Sequence, residues 1–190
     1  MATCGELQIG NYTQTLWGQL QDSSGKDTLN GFIEAACPFV SMIVILAMEK
    51  PKINWDRWGE FCLTVSAFLD CLVLIAMASA QKLWIMYTGY IIFRVAYQAM
   101  ITTAQFNIVC RIASNNLGFV FGINTFIALS LQTALTAIVV EKSVLGLSIR
   151  KQFYVYSAYH AGIGFIFLLA IITRFIRNRW QLRRRTTTMF

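Results

Sequence analysis

Five stretches of this 190-residue chain are too long and too apolar for a water-soluble core: Phe32–Met48, Phe61–Ala80, Leu83–Ala104, Leu117–Val140 and Phe153–Thr173. A bilayer's hydrocarbon layer is ~30 Å thick, and a helix needs roughly 20 mostly apolar residues to cross it. Only 13% of the residues are charged, about half the share usual in soluble domains. The chain therefore reads as an all-α membrane protein, a bundle of five to six transmembrane helices. The connections between spans are too short to hold a separate soluble domain.

The organisation follows from these spans. Residues 1–20 form a doubtful first helix, because Ala2–Leu20 is apolar in bias yet carries Glu6, Gln8, Asn11, Thr13, Gln14 and Gln19. Such a helix either lines a cavity among other helices or lies on a surface. It has no basic segment ahead of an uninterrupted apolar core, so it is not a signal peptide. Residues 21–29 form a polar extracellular loop, residues 30–173 a five-helix membrane bundle, and residues 174–190 a basic cytoplasmic tail. Pro38 removes a backbone donor from the second helix and is expected to bend it. The turn at Gln81-Lys82 is so short that its flanking spans must be antiparallel neighbours.

Charge placement sets the topology. One side holds Lys50, Lys52, Arg57, Arg111 and the six arginines from Arg174 to Arg185. The other holds five cations, Lys26, Lys82, Lys142, Arg150 and Lys151. The positive-inside rule then puts the C-terminus in the cytoplasm, although Lys142, Arg150 and Lys151 argue the other way. The net charge of +7 does not indicate nucleic-acid binding, because the cations lie at membrane boundaries rather than on one soluble face. The partner they face is the lipid bilayer, through an ordinary cytoplasmic flank or an anionic-lipid contact. The five cysteines lack CxxC spacing, so neither a disulfide framework nor a zinc site is expected. No cofactor is implied. The single histidine, His160, shares a helical face with Tyr156 and reads as a packed residue rather than a catalytic one.

Polar groups at mid-membrane depth carry the functional signal: Asp70, Arg94, Gln98, Asn124 and Gln132. Such groups are costly in hydrocarbon and usually face a partner or a water-filled path, which points to movement of a polar solute. Asp70 and Arg94 each lie twelve residues from Lys82, so both sit about 18 Å from the same surface. Either they form a buried ion pair, or Arg94 faces a cavity with Tyr97 and Gln98 on its helical face. Asn124 and Gln132 are eight residues apart and can border one cavity. Gly118 and Gly122 have the small-xxx-small spacing that lets helices approach closely, with packing inside the bundle as the expected use.

Several motifs resemble one family. Phe121-Gly122-Ile-Asn-Thr-Phe126 resembles an FGxNTF stretch of the reduced folate carrier family, the folate and thiamine transporters. Leu29-Asn30-Gly31-Phe-Ile-Glu34-Ala35, Phe93-Arg94…Tyr97-Gln98 and Leu145-Gly146-Leu147…Gln152-Phe153 are similar too, in the same order, over about Ala2 to Leu169. The resemblance implies a major-facilitator fold of two six-helix halves rocking about a midplane site, of which this chain resembles the C-terminal half. Its start then falls inside the family's seventh helix, and an N-terminal half is missing. Asp56-Arg57-x-Gly59 resembles the loop motif between the second and third helices of such halves.

By the same resemblance the substrate path includes Tyr12, Asn30, Glu34, Arg94 and Gln132. With the cavity candidates above, the substrate-binding set is Tyr12, Asn30, Glu34, Arg94, Tyr97, Gln98, Asn124 and Gln132. Folate carriers have a lysine at the place of Gln132 and thiamine carriers a glutamine. Folates are dianions and want fixed positive charge, whereas thiamine is a cation suited to carboxylates and aromatic faces. The expected function is vitamin transport at the plasma membrane, with thiamine favoured over folate. A non-transporting membrane subunit is the alternative. An intramembrane enzyme is excluded, because the spans hold no hydrolase dyad at matched depth.

Overall fold

The computed structural model describes residues 2–20, 27–49, 55–112, 116–141 and 144–187. The apolar stretches become helices because a backbone without water must bond to itself, and a helix does so within one segment. In chain order they are α1 (Ala2–Gly18), α2 (Asp27–Glu49), α3 (Trp55–Ser79), α4 (Leu83–Arg111), α5 (Leu117–Val139) and α6 (Ile149–Thr187). The described residues contain no strand, and the chain is an all-α, multi-pass membrane protein.

Four helices contribute stretches long and apolar enough to cross a membrane: Leu29–Met48, Trp58–Ser79, Leu117–Val139 and Ile149–Arg177. The predicted span Leu83–Ala104 lies in α4, which falls short in hydropathy despite its 29 residues. The reason is compositional. Tyr87, Tyr90, Arg94, Tyr97 and Gln98 all lie on it, and of these the three tyrosines are buried. An inward-facing helix can carry such residues, whereas a lipid-facing one cannot. The opposite case is α5, which buries only Ala128 and Val139 and exposes Phe119 and Phe126.

Helices α1, α4, α3 and α6 close a ring, each packed on the next, with α2 attached to α4 and α5 to α1 as two wings. The core draws on all four ring helices: Ile9, Leu16 and Trp17, then Leu74 and Met77, then Tyr87, Tyr90 and Phe93, then Phe153 and Tyr156. Trp17 sits at its centre, edge-on to Tyr87 and Tyr90 at 4.9 and 5.2 Å. Close approach of α3 and α4 rests on Gly89, where a Cβ would meet Met77 Cγ at 2.7 Å.

Gly118 and Gly122 differ from expectation. A Cβ at either would meet nothing within 4 Å, so neither serves packing within this bundle. The residues that α5 buries, Ala128 and Val139, lie further along the helix. Pro38 lies inside a continuous helix. The polar loop of residues 21–26 lies outside the described residues, and α2 takes in the loop's predicted end from Asp27. The predicted tail also differs, because α6 continues unbroken to Thr187 through the arginine-rich run.

Arg150 explains the discordant topology signal. Its Nη1 donates to the carbonyls of Ala78 at 2.9 Å and Ala80 at 2.8 Å, and its Nε to Gln19 Oε1 at 3.0 Å. It therefore neutralises the exposed carbonyl end of α3, where a cation is favoured. That structural duty accounts for an arginine on the cation-poor side. Lys142 lies outside the described residues.

Candidate functional site

The polar residues of α1, α2 and α4 converge on one cluster. The Arg94 guanidinium on α4 pairs with the Glu6 carboxylate on α1, both partly buried. Arg94 also lies 6.0 Å from the centroid of the Tyr90 ring. The Tyr90 hydroxyl in turn donates to both carboxylate oxygens of Glu34 on α2, at 3.0 and 3.1 Å. One turn earlier, Tyr87 donates to Asn30 Oδ1 at 2.6 Å. The spacing makes this possible: Asn30 and Glu34 are four apart on α2, Tyr87 and Tyr90 three apart on α4, so each pair shares a helical face.

Beside the cluster, α2 and α4 enclose a cavity of about 340 Å³ lined by Pro38, Ser41, Met42, Ile45, Leu46, Arg94 and Gln98. One wall is apolar and the other carries a guanidinium and an amide. That division suits a small organic molecule with a ring and a polar head.

The ion pair between Asp70 and Arg94 does not form. Asp70 points from α3 toward α6, where its Oδ2 lies 3.6 Å from His160 Nδ1. Arg94 turns instead toward α1 and α2. Equal depth along two antiparallel helices does not fix which way each side chain faces. Among the companions expected for Arg94, Gln98 lines the cavity but Tyr97 does not. Tyr97 is buried against Leu63 and Met100 instead.

The remaining candidates divide. Tyr12 packs against the central core from α1. Asn124 is exposed and borders a separate crevice of about 180 Å³ with Ala2, Met100, Phe121 and Phe167. Gln132 is half-buried on α5 and is not among the residues lining that crevice. Thus Asn30, Glu34, Arg94 and Gln98 are brought together by α4, while Asn124 and Gln132 stay on the α5 wing.

Four participants escaped the sequence reading: Glu6, Trp17, Tyr87 and Tyr90. For the tyrosines the signal was present, since residues 87, 90, 94 and 98 recur at helical spacing on one face of α4. Gln8 is a fifth. It accepts from Thr136 Oγ1 on α5 and donates to the Tyr156 hydroxyl on α6, both at 3.0 Å. Tyr156 faces Gln152 Oε1 at 3.4 Å, and Gln152 Nε2 donates to the Leu147 carbonyl at 2.8 Å. The opposite face of α1, with Asn11, Gln14 and Thr15, is exposed and polar rather than lipid-like.

Comparison with known proteins agrees with this chemistry. The sequence model of the family described as Reduced folate carrier matches residues 1–155. Thiamine transporter 1 of Mus musculus is 38% identical over 178 residues, which are 94% of this chain and 36% of that protein. Thiamine transporter 1 of Homo sapiens is 39% identical over 168 residues, 88% of this chain and 34% of that protein. Folate-like transporter 3 of Caenorhabditis elegans is 39% identical over 183 residues, 96% of this chain and 42% of that protein. The chain thus spans 34 to 42% of the length of these curated relatives. With a family match over most of its length, the chain belongs to the reduced folate carrier family.

Proposed function

We propose that this chain supplies one half of a plasma-membrane carrier that moves a water-soluble vitamin by alternating access, with its C-terminus in the cytoplasm. The preferred substrate is thiamine rather than folate. The observation that carries this reading is the linked set Glu6, Arg94, Tyr90 and Glu34, which holds two carboxylates to one guanidinium. Glu6 already engages Arg94, and among the described residues Glu34 is held by the Tyr90 hydroxyl. A cation gains from that arrangement and a dianion loses. Gln132 adds no positive charge on α5.

The other wall of the path would come from a half like the part of the relatives' length that this chain does not span. Support comes from the exposed polar face of α1 and from Gly118 and Gly122, both open to close approach by another helix. Substrate binding would draw on Asn30, Glu34, Arg94 and Gln98 directly, with Tyr12, Tyr97, Asn124 and Gln132 bordering the path.

The test is uptake in cells producing this chain together with the N-terminal half of a thiamine transporter. Radiolabelled thiamine and a radiolabelled reduced folate are compared, with each half alone as control. Saturable thiamine uptake by the pair is expected. Greater folate uptake overturns the preference, and no uptake of either by a correctly assembled pair overturns transport.

A further inference from the structure

Asp70 and His160 have fully buried side chains, and vitamin binding as proposed uses neither. They join α3 to α6 through the 3.6 Å approach of Oδ2 to Nδ1. Neither carboxylate oxygen and neither ring nitrogen has a hydrogen-bond partner among the described residues. The surroundings are tight and apolar. The Phe93 ring meets the imidazole edge-on at 5.6 Å and Tyr159 at 5.9 Å. Gly5 closes over Nε2, where a Cβ would come within 2.5 Å.

An ionised carboxylate beside a neutral imidazole would be a nearly bare charge in this setting, which is a costly state. One additional proton removes it. We propose that Asp70 and His160 form an intramembrane proton-binding site, in which one proton is held between Nδ1 and Oδ2 and the other ring proton lies on Nε2. When the bound proton leaves, the remaining ring proton moves to Nδ1 and faces the carboxylate, and the pair carries one negative charge.

The position gives this proton something to act on. Gly5 and Phe93 touch His160, and the next residue of each helix, Glu6 and Arg94, forms the ion pair of the candidate site. The four groups Glu6, Arg94, Asp70 and His160 together carry one net negative charge without the proton and none with it. The other ionisable groups directly beside Gly5, Asp70 and His160 along their helices are Cys4 on α1, Cys71 on α3 and Tyr159 on α6. Cys71 lies 3.5 Å from Ser157 Oγ, and Cys4 hydrogen-bonds Tyr159.

The chain contains a single histidine, so imidazole nitrogen resonances report this site alone. The experiment uses the full chain, carrying a tag free of histidine and labelled with 15N-histidine, in phosphatidylcholine nanodiscs from about pH 5 to pH 10. Expected is one titration of both ring nitrogens, lost in Asp70→Asn, which keeps the side-chain size but has no proton to release. Ring shifts flat across the range overturn the proposal, as does the same titration in Asp70→Asn. Should that variant fail to fold, 13Cγ-labelled aspartate in the unaltered chain decides. Of the four aspartates, one carboxyl should titrate together with the ring and apart from the other three. Four carboxyls titrating together in acid overturn the site. Neither readout depends on vitamin transport.

Discussion

Tyr90 donates its hydroxyl to both oxygens of Glu34, at 3.0 and 3.1 Å, so a carboxylate on α2 takes its orientation from α4. The tyrosine is itself fixed, since its ring is buried against Trp17. Glu34 is thereby preorganised by a side chain that has no room to move.

Tyr90→Phe keeps the packing and deletes the donor. A hydrogen bond to a charged group contributes about 1.5–3 kcal/mol, so thiamine affinity in the assembled carrier should fall roughly tenfold or more. Measuring KM for uptake beside surface abundance checks this: KM should rise while abundance holds. Glu34→Gln should cost more, because the charge itself is gone.

Arg94→Ala should abolish uptake and leave the carrier expressed. It strands Glu6, and breaking a buried pair from one side costs more than removing both members. The double variant Glu6→Gln/Arg94→Gln should therefore be more stable than Arg94→Gln alone, and the cycle completed by Glu6→Gln should give a coupling of about 0.5–3 kcal/mol. Melting curves in detergent for the single and double variants give that number. Equal loss of folded protein in Arg94→Ala would make the arginine structural.

Gly5→Ala places a methyl group 2.5 Å from His160 Nε2. Overpacking of this kind costs about 1–3 kcal/mol, and Tm should fall accordingly. Gly10→Ala on the same helix meets nothing within 4 Å. It should be neutral or gain up to about 1 kcal/mol from helix propensity, which makes it the internal control.

Arg150→Ala removes three hydrogen bonds, two of them to carbonyls at the end of α3. At about 1.5–3 kcal/mol for a charge-assisted bond, this should be among the most damaging substitutions on the cation-poor side. Lys151→Ala, whose side chain is exposed, should leave Tm unchanged. Thermal unfolding of the two variants side by side tests the contrast.

The sequence made most of the helices legible because hydropathy reports contact with lipid, and α2, α3, α5 and α6 all present apolar faces to it. It leaves α1 doubtful for the same reason, whereas α4 is legible as a span despite its inward polar residues. What the sequence does not show is that Glu6 and Arg94 meet across 88 positions. Distance along the chain carries no trace of such a pairing, so the Asp70–Arg94 alternative could not be dismissed from depth alone. One motif did have a readable cause. Gly146 adopts a φ of 49°, which favours glycine, and Gln152 holds the adjoining Leu147 carbonyl. By contrast, the Phe121–Phe126 stretch exposes Phe126 and Gly122.

The hydrogen bonds running from Thr136 through Gln8, Tyr156 and Gln152 to the Leu147 carbonyl all point the same way. Each side chain donates a hydrogen bond to the next group, as in a line of people holding a rope. None can turn round without its neighbours turning too. Helices α1, α5 and α6 are therefore tied together through Gln8, and sliding α1 by a single residue would break both of its bonds at once. The α2 wing is tied to α4 by the two tyrosine hydroxyls, at its N-terminal end. If this half flexes during a cycle, the far end of α2 is where the slack lies.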